Sequence, residues 1–128
     1  MADTEKITIN MNAVDLGKID LLVEQGHYSN RTDFIRAAIR SQLEKHTFEV
    51  QQSVARDAYV IGVLIYNKAD LEAAKVKGER LKIHLMGLLN LDNDIPASLA
   101  AEVIESVKVR GIFHASESVK YALSDRIF

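Results

Sequence analysis

The sequence has no cysteine, no tryptophan and a single proline in 128 residues. Without cysteine there is no disulfide framework, no thiolate nucleophile and no thiolate metal cluster, and a reducing compartment is the natural expectation. Pro96 and the isolated glycines at 17, 26, 62, 78, 87 and 111 build neither a Pro/Ser-rich linker nor a glycine-rich phosphate loop. A dominant charge is missing as well. Sixteen Lys+Arg against eighteen Asp+Glu leave a formal charge of −2, which excludes a global basic field aimed at nucleic acid or an anionic membrane and leaves such a partner to local patches. No apolar run approaches the roughly 18–20 residues of a membrane span, and MADTEKITIN lacks the charged start and apolar run of a secretory signal. A cytoplasmic protein without a membrane partner is expected. What is present, 48% hydrophobic and 27% charged residues, is the balance of a folded chain of one or two small domains.

The stretch Lys6-Ile7-Thr8-Ile9-Asn10-Met11 alternates polar and apolar, the period of a strand with one face buried. Ile7, Ile9 and Met11 point one way, and Lys6, Thr8 and Asn10 the other. Asn12 offers an N-cap to a helix over 13–25 with Val14, Leu16, Ile19, Leu22 and Val23 at helical spacing; Gly17 weakens it and Gly26 ends it. Ser29 or Asn30 is a second N-cap. From Arg31 onward Phe34, Ile35, Ala38, Ile39 and Leu43 share a face, and with no Gly or Pro between 27 and 61 this second helix is expected to run past His46 toward Asp57.

From residue 58 the period changes. Placing Gly62, Gly87 and Gly111 in line superposes Ala58-x-Val60-x-Gly62, Ile83-x-Leu85-x-Gly87 and Val107-x-Val109-x-Gly111, each an alternating strand that meets a glycine. Either this is a strand-Gly-strand repeat, or three glycine-containing strands of an ordinary α+β domain share a spacing. Helices are expected over 69–80 and 96–105, with Gly78 a weak point in the first. Val60–Tyr66 and Leu85–Leu89 are too apolar for strands with one wet face, so they should be central or buried against another subunit.

A strand and two helices in about 45 residues bury too little surface to stand alone. If the strand pairs antiparallel with its copy in a second chain, Ile7, Ile9 and Met11 are covered and Lys6, Thr8 and Asn10 form a polar two-stranded ribbon. Such a ribbon fits the DNA major groove, where ammonium, hydroxyl and amide groups meet base edges. The residues KITINM, Gly26 and YSNRTDFIRAAIRSQL resemble the ribbon-helix-helix (MetJ/Arc/CopG) transcription regulators over roughly 5–46, about a third of the chain. The resemblance implies that Lys6, Thr8 and Asn10 read bases. It also implies that Ser29, Asn30, Arg31 and Thr32, at the start of the second helix, hold a backbone phosphate, for which the free N–H groups of a helix start are suited. Each also has a plain structural reading: Thr8 is common in strands, Lys6 protects an edge, and 29–32 would make an ordinary cap, whereas Asn10 is depleted in strands and so more informative. Residues 1–46 carry six Lys/Arg and seven Asp/Glu, so phosphate contacts are few and binding per dimer modest.

Nickel-responsive repressors of the same family append a metal-binding domain with clustered His and a Cys. Here Cys is absent and His84 and His114 stand alone, so neither metal nor other cofactor is expected. His114-Ala115-Ser116-Glu117 holds a base and a hydroxyl without a pocket or activated nucleophile, and an enzyme is not expected. Lys82, His84, Lys108 and Arg110 make either a local basic strip or a solvated sheet face.

The expectation is an α+β protein: a ribbon-helix-helix domain over 1–46 forming an intertwined dimer, a helical extension or linker over 47–57, and a small α+β oligomerisation or sensing domain over 58–128. Its function would be that of a homodimeric, sequence-specific DNA-binding regulator, most simply a repressor. Two other readings are an antitoxin that binds DNA and wraps a toxin, and a scaffold assembled through the C-terminal repeat. Expected partners are double-stranded DNA and a second copy of the chain, with a protein or small-molecule effector at the C-terminal domain as a further candidate.

Overall fold

The computed structural model describes residues 4–128, which form two compact units, one of Lys6–Ser53 and one of Val54–Phe128 together with residues 4–5. The first three residues of the expected 1–46 domain lie outside the described residues.

In the first unit, helix α1 (Ala13–Glu24) starts at the expected cap: the Asn12 side chain accepts from the N–H groups of Val14 at 2.7 Å and Asp15 at 3.3 Å. Two of the four donors that a helix start leaves unpaired are thereby satisfied. Helix α2 (Arg31–Lys45) is capped by Asn30, whose Oδ1 accepts from the Asp33 N–H at 2.8 Å, while the Asp33 carboxylate accepts from the Ser29 N–H at 3.0 Å. Between the helices Tyr28 meets Phe34 edge to face, ring centres 5.0 Å apart. Among the described residues of this unit only Ile19 is fully buried, and Ile39 and Leu43 of the expected apolar face remain exposed.

Two expectations need correcting here. The second helix does not run on to Asp57: His46 leaves the helical region (φ −107°, ψ 16°) and a separate helix, α3 (Thr47–Asp57), follows. The Thr47 hydroxyl donates to the Glu44 carbonyl at 2.8 Å, giving a terminal carbonyl of α2 a side-chain partner in place of a continued ladder. Nor is the segment 6–11 a strand in the single chain, where Thr4–Met11 carry neither helix nor ladder. A strand is defined by backbone pairing, and one chain offers this segment no second strand.

In the second unit, β1 (Val60–Tyr66), α4 (Lys68–Val76), β2 (Leu81–Leu91), α5 (Ala97–Val103), β3 (Ile104–His114) and α6 (Glu117–Ala122) alternate along the chain. The chain is α+β overall, and this sheet is wholly parallel, in the order β1-β2-β3. Helices return the chain from the end of one strand to the start of the next, as parallel pairing requires. The core lies between one face of the sheet and the helices. Leu71 and Ala74 of α4, Leu99, Ala100 and Val103 of α5, and Val119 and Leu123 close on Ile83, Leu85, Leu89, Leu91 and Val107. β2 is central, as its apolar run requires. β1 is an edge, and Ile61, Val63 and Ile65 remain exposed.

The three segments that the sequence aligns lie side by side, Gly62 opposite Gly87 and Gly87 opposite Gly111. All three have positive φ, 145°, 143° and 129°, a region that side chains other than glycine's rarely adopt. A Cβ on Gly87 would collide with the Gly62 carbonyl oxygen, and one on Gly111 with that of Gly87, whereas a Cβ on Gly62 would meet open space. Because all three strands change conformation at the same level, the pairing passes through the row without a slip.

Substitutions along this row should separate the two effects. Gly62→Ala carries only the backbone strain, about 1–3 kcal/mol, and Gly87→Ala carries the collision in addition. Urea unfolding should therefore show Gly87→Ala as the less stable variant by at least about 1 kcal/mol; equal midpoints would mean that the close approach is not a constraint.

Candidate nucleic-acid interface

The sequence-predicted base readers Lys6, Thr8 and Asn10 all lie exposed in the segment before α1, and so do Ile7 and Ile9, 81% and 63% accessible. Alternation thus sets a polar and an apolar series on one short segment, and Ile7 and Ile9 of the apolar series lack cover in the single chain. Met11 reaches a depression of about 300 Å³ that Asp15, Lys18, Ile19, Leu22 and Phe34 also line. Covering an exposed aliphatic side chain is worth roughly 1.5–3 kcal/mol each, so this surface has a strong tendency to be buried by something.

The start of α2 holds the other predicted group. Ser29 and Asn30 are engaged in the cap, through the Ser29 N–H and the Asn30 side chain. Among the described residues the N–H groups of Arg31 and Thr32 have no acceptor, as the geometry of a helix start dictates. They are the donors an anion could use. The Arg31 side chain is itself engaged within this unit. Its Nε and Nη2 donate to the two oxygens of Asp20 at 2.7 and 2.8 Å, a bidentate pair that ties α2 to α1. The Arg31 hydrogen bond holds the Asp20 carboxyl below its ordinary value, and the same bond raises Arg31. Sequence reasoning missed this pair, because eleven residues separate its members and no local spacing rule links them.

The C-terminal cations make internal contacts. Lys108 lies 3.6 Å from Asp57 and over the Tyr59 ring, and Lys82 lies 3.9 Å from Glu105. Arg110 donates to the Phe128 carbonyl at 3.0 Å, and His84 Nδ1 lies 3.0 Å from the Asp57 carbonyl. This is the solvated, internally paired reading of the strip. His114 ends β3 in an exposed position opposite Asn90. Among the described residues no three His, Asp or Glu side chains gather as a metal site would require, and no helix is long and apolar enough to cross a membrane.

The pattern of the Ribbon-Helix-Helix transcriptional regulator family matches residues 2–120. The chain belongs to this family. The match extends well beyond residues 5–46, which carry the resemblance noted above, and takes in the parallel sheet. As a member of a family of regulators, it is a DNA-binding transcriptional regulator. Among curated proteins it is similar to the transcriptional regulator CdrS of Halobacterium salinarum, 30% identical over 43 residues that cover 34% of this chain and 78% of the relative. It is also similar to an uncharacterized protein of Archaeoglobus fulgidus, 30% identical over 59 residues, 46% of this chain and 98% of that one. No solved structure matches.

The Asp20–Arg31 pair has a testable signature. Because folding lowers the Asp20 pKa, its contribution is complete above the unfolded value near 4 and is lost as pH falls through the lower folded value. Thermal melts between pH 5 and 2 should therefore be less steep in pH for Asp20→Asn than for the wild type; parallel curves would show that the pair does not contribute.

Proposed function

We propose that the protein is a homodimeric, sequence-specific regulator in which the segments 6–11 of two copies pair antiparallel and enter the major groove. Lys6, Thr8 and Asn10 then read base edges, and the Arg31 and Thr32 N–H groups at the start of α2 receive a phosphate. The reading is carried by one observation: a segment that alternates exposed aliphatic and exposed hydrogen-bonding side chains, with its backbone unpaired in the single chain, in a member of this family. Pairing satisfies the backbone, covers Ile7 and Ile9, and leaves the polar series facing out.

Ammonium, hydroxyl and amide groups suit the major groove, where every base pair presents a distinct donor and acceptor pattern. The two-fold of such a dimer calls for an inverted repeat in the DNA. Phosphate attraction supplies little of the affinity, since Arg31 is held by Asp20 and the first 46 residues carry no cationic excess. Specificity must then come mainly from the ribbon. Occupying a promoter in the cytoplasm in this way would repress it by exclusion. The folded core of Val54–Phe128 favours a regulator with a second structured unit over an antitoxin whose tail orders on a toxin.

The test is fluorescence anisotropy on DNA from upstream of the gene and on random DNA, with wild type and a Lys6→Ala/Thr8→Ala/Asn10→Ala variant checked for fold and mass. The variant should bind the upstream DNA about 100-fold or more weakly, from the loss of contacts worth about 1–3 kcal/mol each. Indistinguishable binding of both proteins to both DNAs would overturn the reading.

A further inference from the structure

A wholly parallel sheet is ordinarily covered on both faces; here the helices of the core pack on one, and the other has partial cover, with Leu88 buried and Asp57 and Tyr59 against His84 and Lys108. The opposite face is not uniform. On the β3 side it carries Lys108, Arg110 and His114, and on the β1 side Ile61, Val63 and Ile65, which are 68%, 52% and 58% exposed. Beside β1 a groove of about 490 Å³ runs past Val60, Leu64, Tyr66, Leu81 and Ile83, with Lys82 and His84 also in its lining. β1 is therefore an edge strand with incomplete cover on both faces.

The two edges of the sheet also differ. Beside β3 the chain's own last residues take up pairing positions: the Val107 N–H donates to the Arg126 carbonyl at 2.9 Å, and the Phe128 N–H to the Val107 carbonyl at 2.8 Å. Glu105, Lys108 and Arg110 add charge along that strand. β1, Val60-Ile61-Gly62-Val63-Leu64-Ile65-Tyr66, has no charge, no proline and no bulge in its pairing with β2. Those are the devices by which edges avoid pairing with other chains. β3 has two of them and β1 has none.

We infer that β1 pairs with β1 of a second copy of this chain, antiparallel about a two-fold axis, joining the two sheets into one of six strands. The occupant is a second copy because the surface is self-complementary. An uncharged row of β-branched residues laid antiparallel beside itself sets aliphatic side chains opposite aliphatic ones, the favourable cross-strand arrangement, and no charge opposes it. A head-to-tail contact of β1 on β3 would meet the C-terminal residues instead. The inference rests on the homodimer proposed above in one respect: a dimer held by the N-terminal segments keeps two copies of β1 at high effective concentration, since α3 alone lies between α2 and the residues leading into β1.

The absence of cysteine makes the test direct. Ile61→Cys, Val63→Cys and Ile65→Cys are made singly in the full chain, alone and as co-expressed pairs, with Val76→Cys, 87% exposed on α4, as the control. The pairs cover registers in which the two-fold axis falls between the chosen sites. Under mild oxidation at least one β1 combination should form a disulfide-linked dimer about tenfold faster than the control, because cross-strand Cβ atoms stand within disulfide range. Sedimentation of the reduced proteins separates the two proposals. A dimer whose β1 cysteines cross-link no faster than Val76→Cys overturns the β1 pairing alone, and a monomer overturns it together with the ribbon dimer.

Discussion

An extended backbone cannot pair with itself, and much of this protein's behaviour follows from that. Each residue of a strand presents an N–H and a C=O that need partners when water is excluded. A helix meets the demand internally, so α1 and α2 form complete within one chain. Residues 6–11 have the alternation of a strand and no ladder, and β1 has one neighbour where a central strand has two. The exposed aliphatic side chains gather in the same places, Ile7 and Ile9 in the first unit and Ile61, Val63 and Ile65 in the second. Unpaired backbone and uncovered apolar surface thus coincide in both units.

Where sequence and structure agree, the deciding interactions are short in range. Asn12 and Asn30 announce their helices because a side-chain oxygen reaches N–H groups only two or three residues away. The three glycines announce their row because parallel strands joined by helices of similar length bring equivalent positions to the same level. The break at His46 was not legible, since it turns on a single backbone conformation and a Thr hydroxyl rather than on Gly or Pro. Parallel connectivity was not legible either, because alternation reports which face a residue lies on and says nothing of strand direction. Of the candidate site, the roles of Lys6, Thr8 and Asn10 could be framed from alternation. The Asp20–Arg31 pair depends on how two helices cross, which no local spacing in the sequence reports.

That pair also shapes how the first unit presents charge. Binding the Arg31 guanidinium in two places removes a mobile cation from the start of α2 and leaves backbone donors there, next to the Asp33 carboxylate that serves the cap. A surface of this kind attracts polyanions weakly at a distance, and its backbone donors suit an anion at contact without reading sequence. It differs from a basic arm, whose affinity falls steeply with salt.

The glycine row constrains how the sheet can change over generations. Gly87 and Gly111 each lie against the carbonyl of the preceding strand, while Gly62 faces open space. A side chain is strained by the positive φ at all three positions, and at the middle and far strands it would also require the neighbouring backbone to move. The row is therefore graded: a change at Gly62 costs backbone strain alone, whereas a change at Gly87 or Gly111 costs that strain and a shift of the adjoining strand as well.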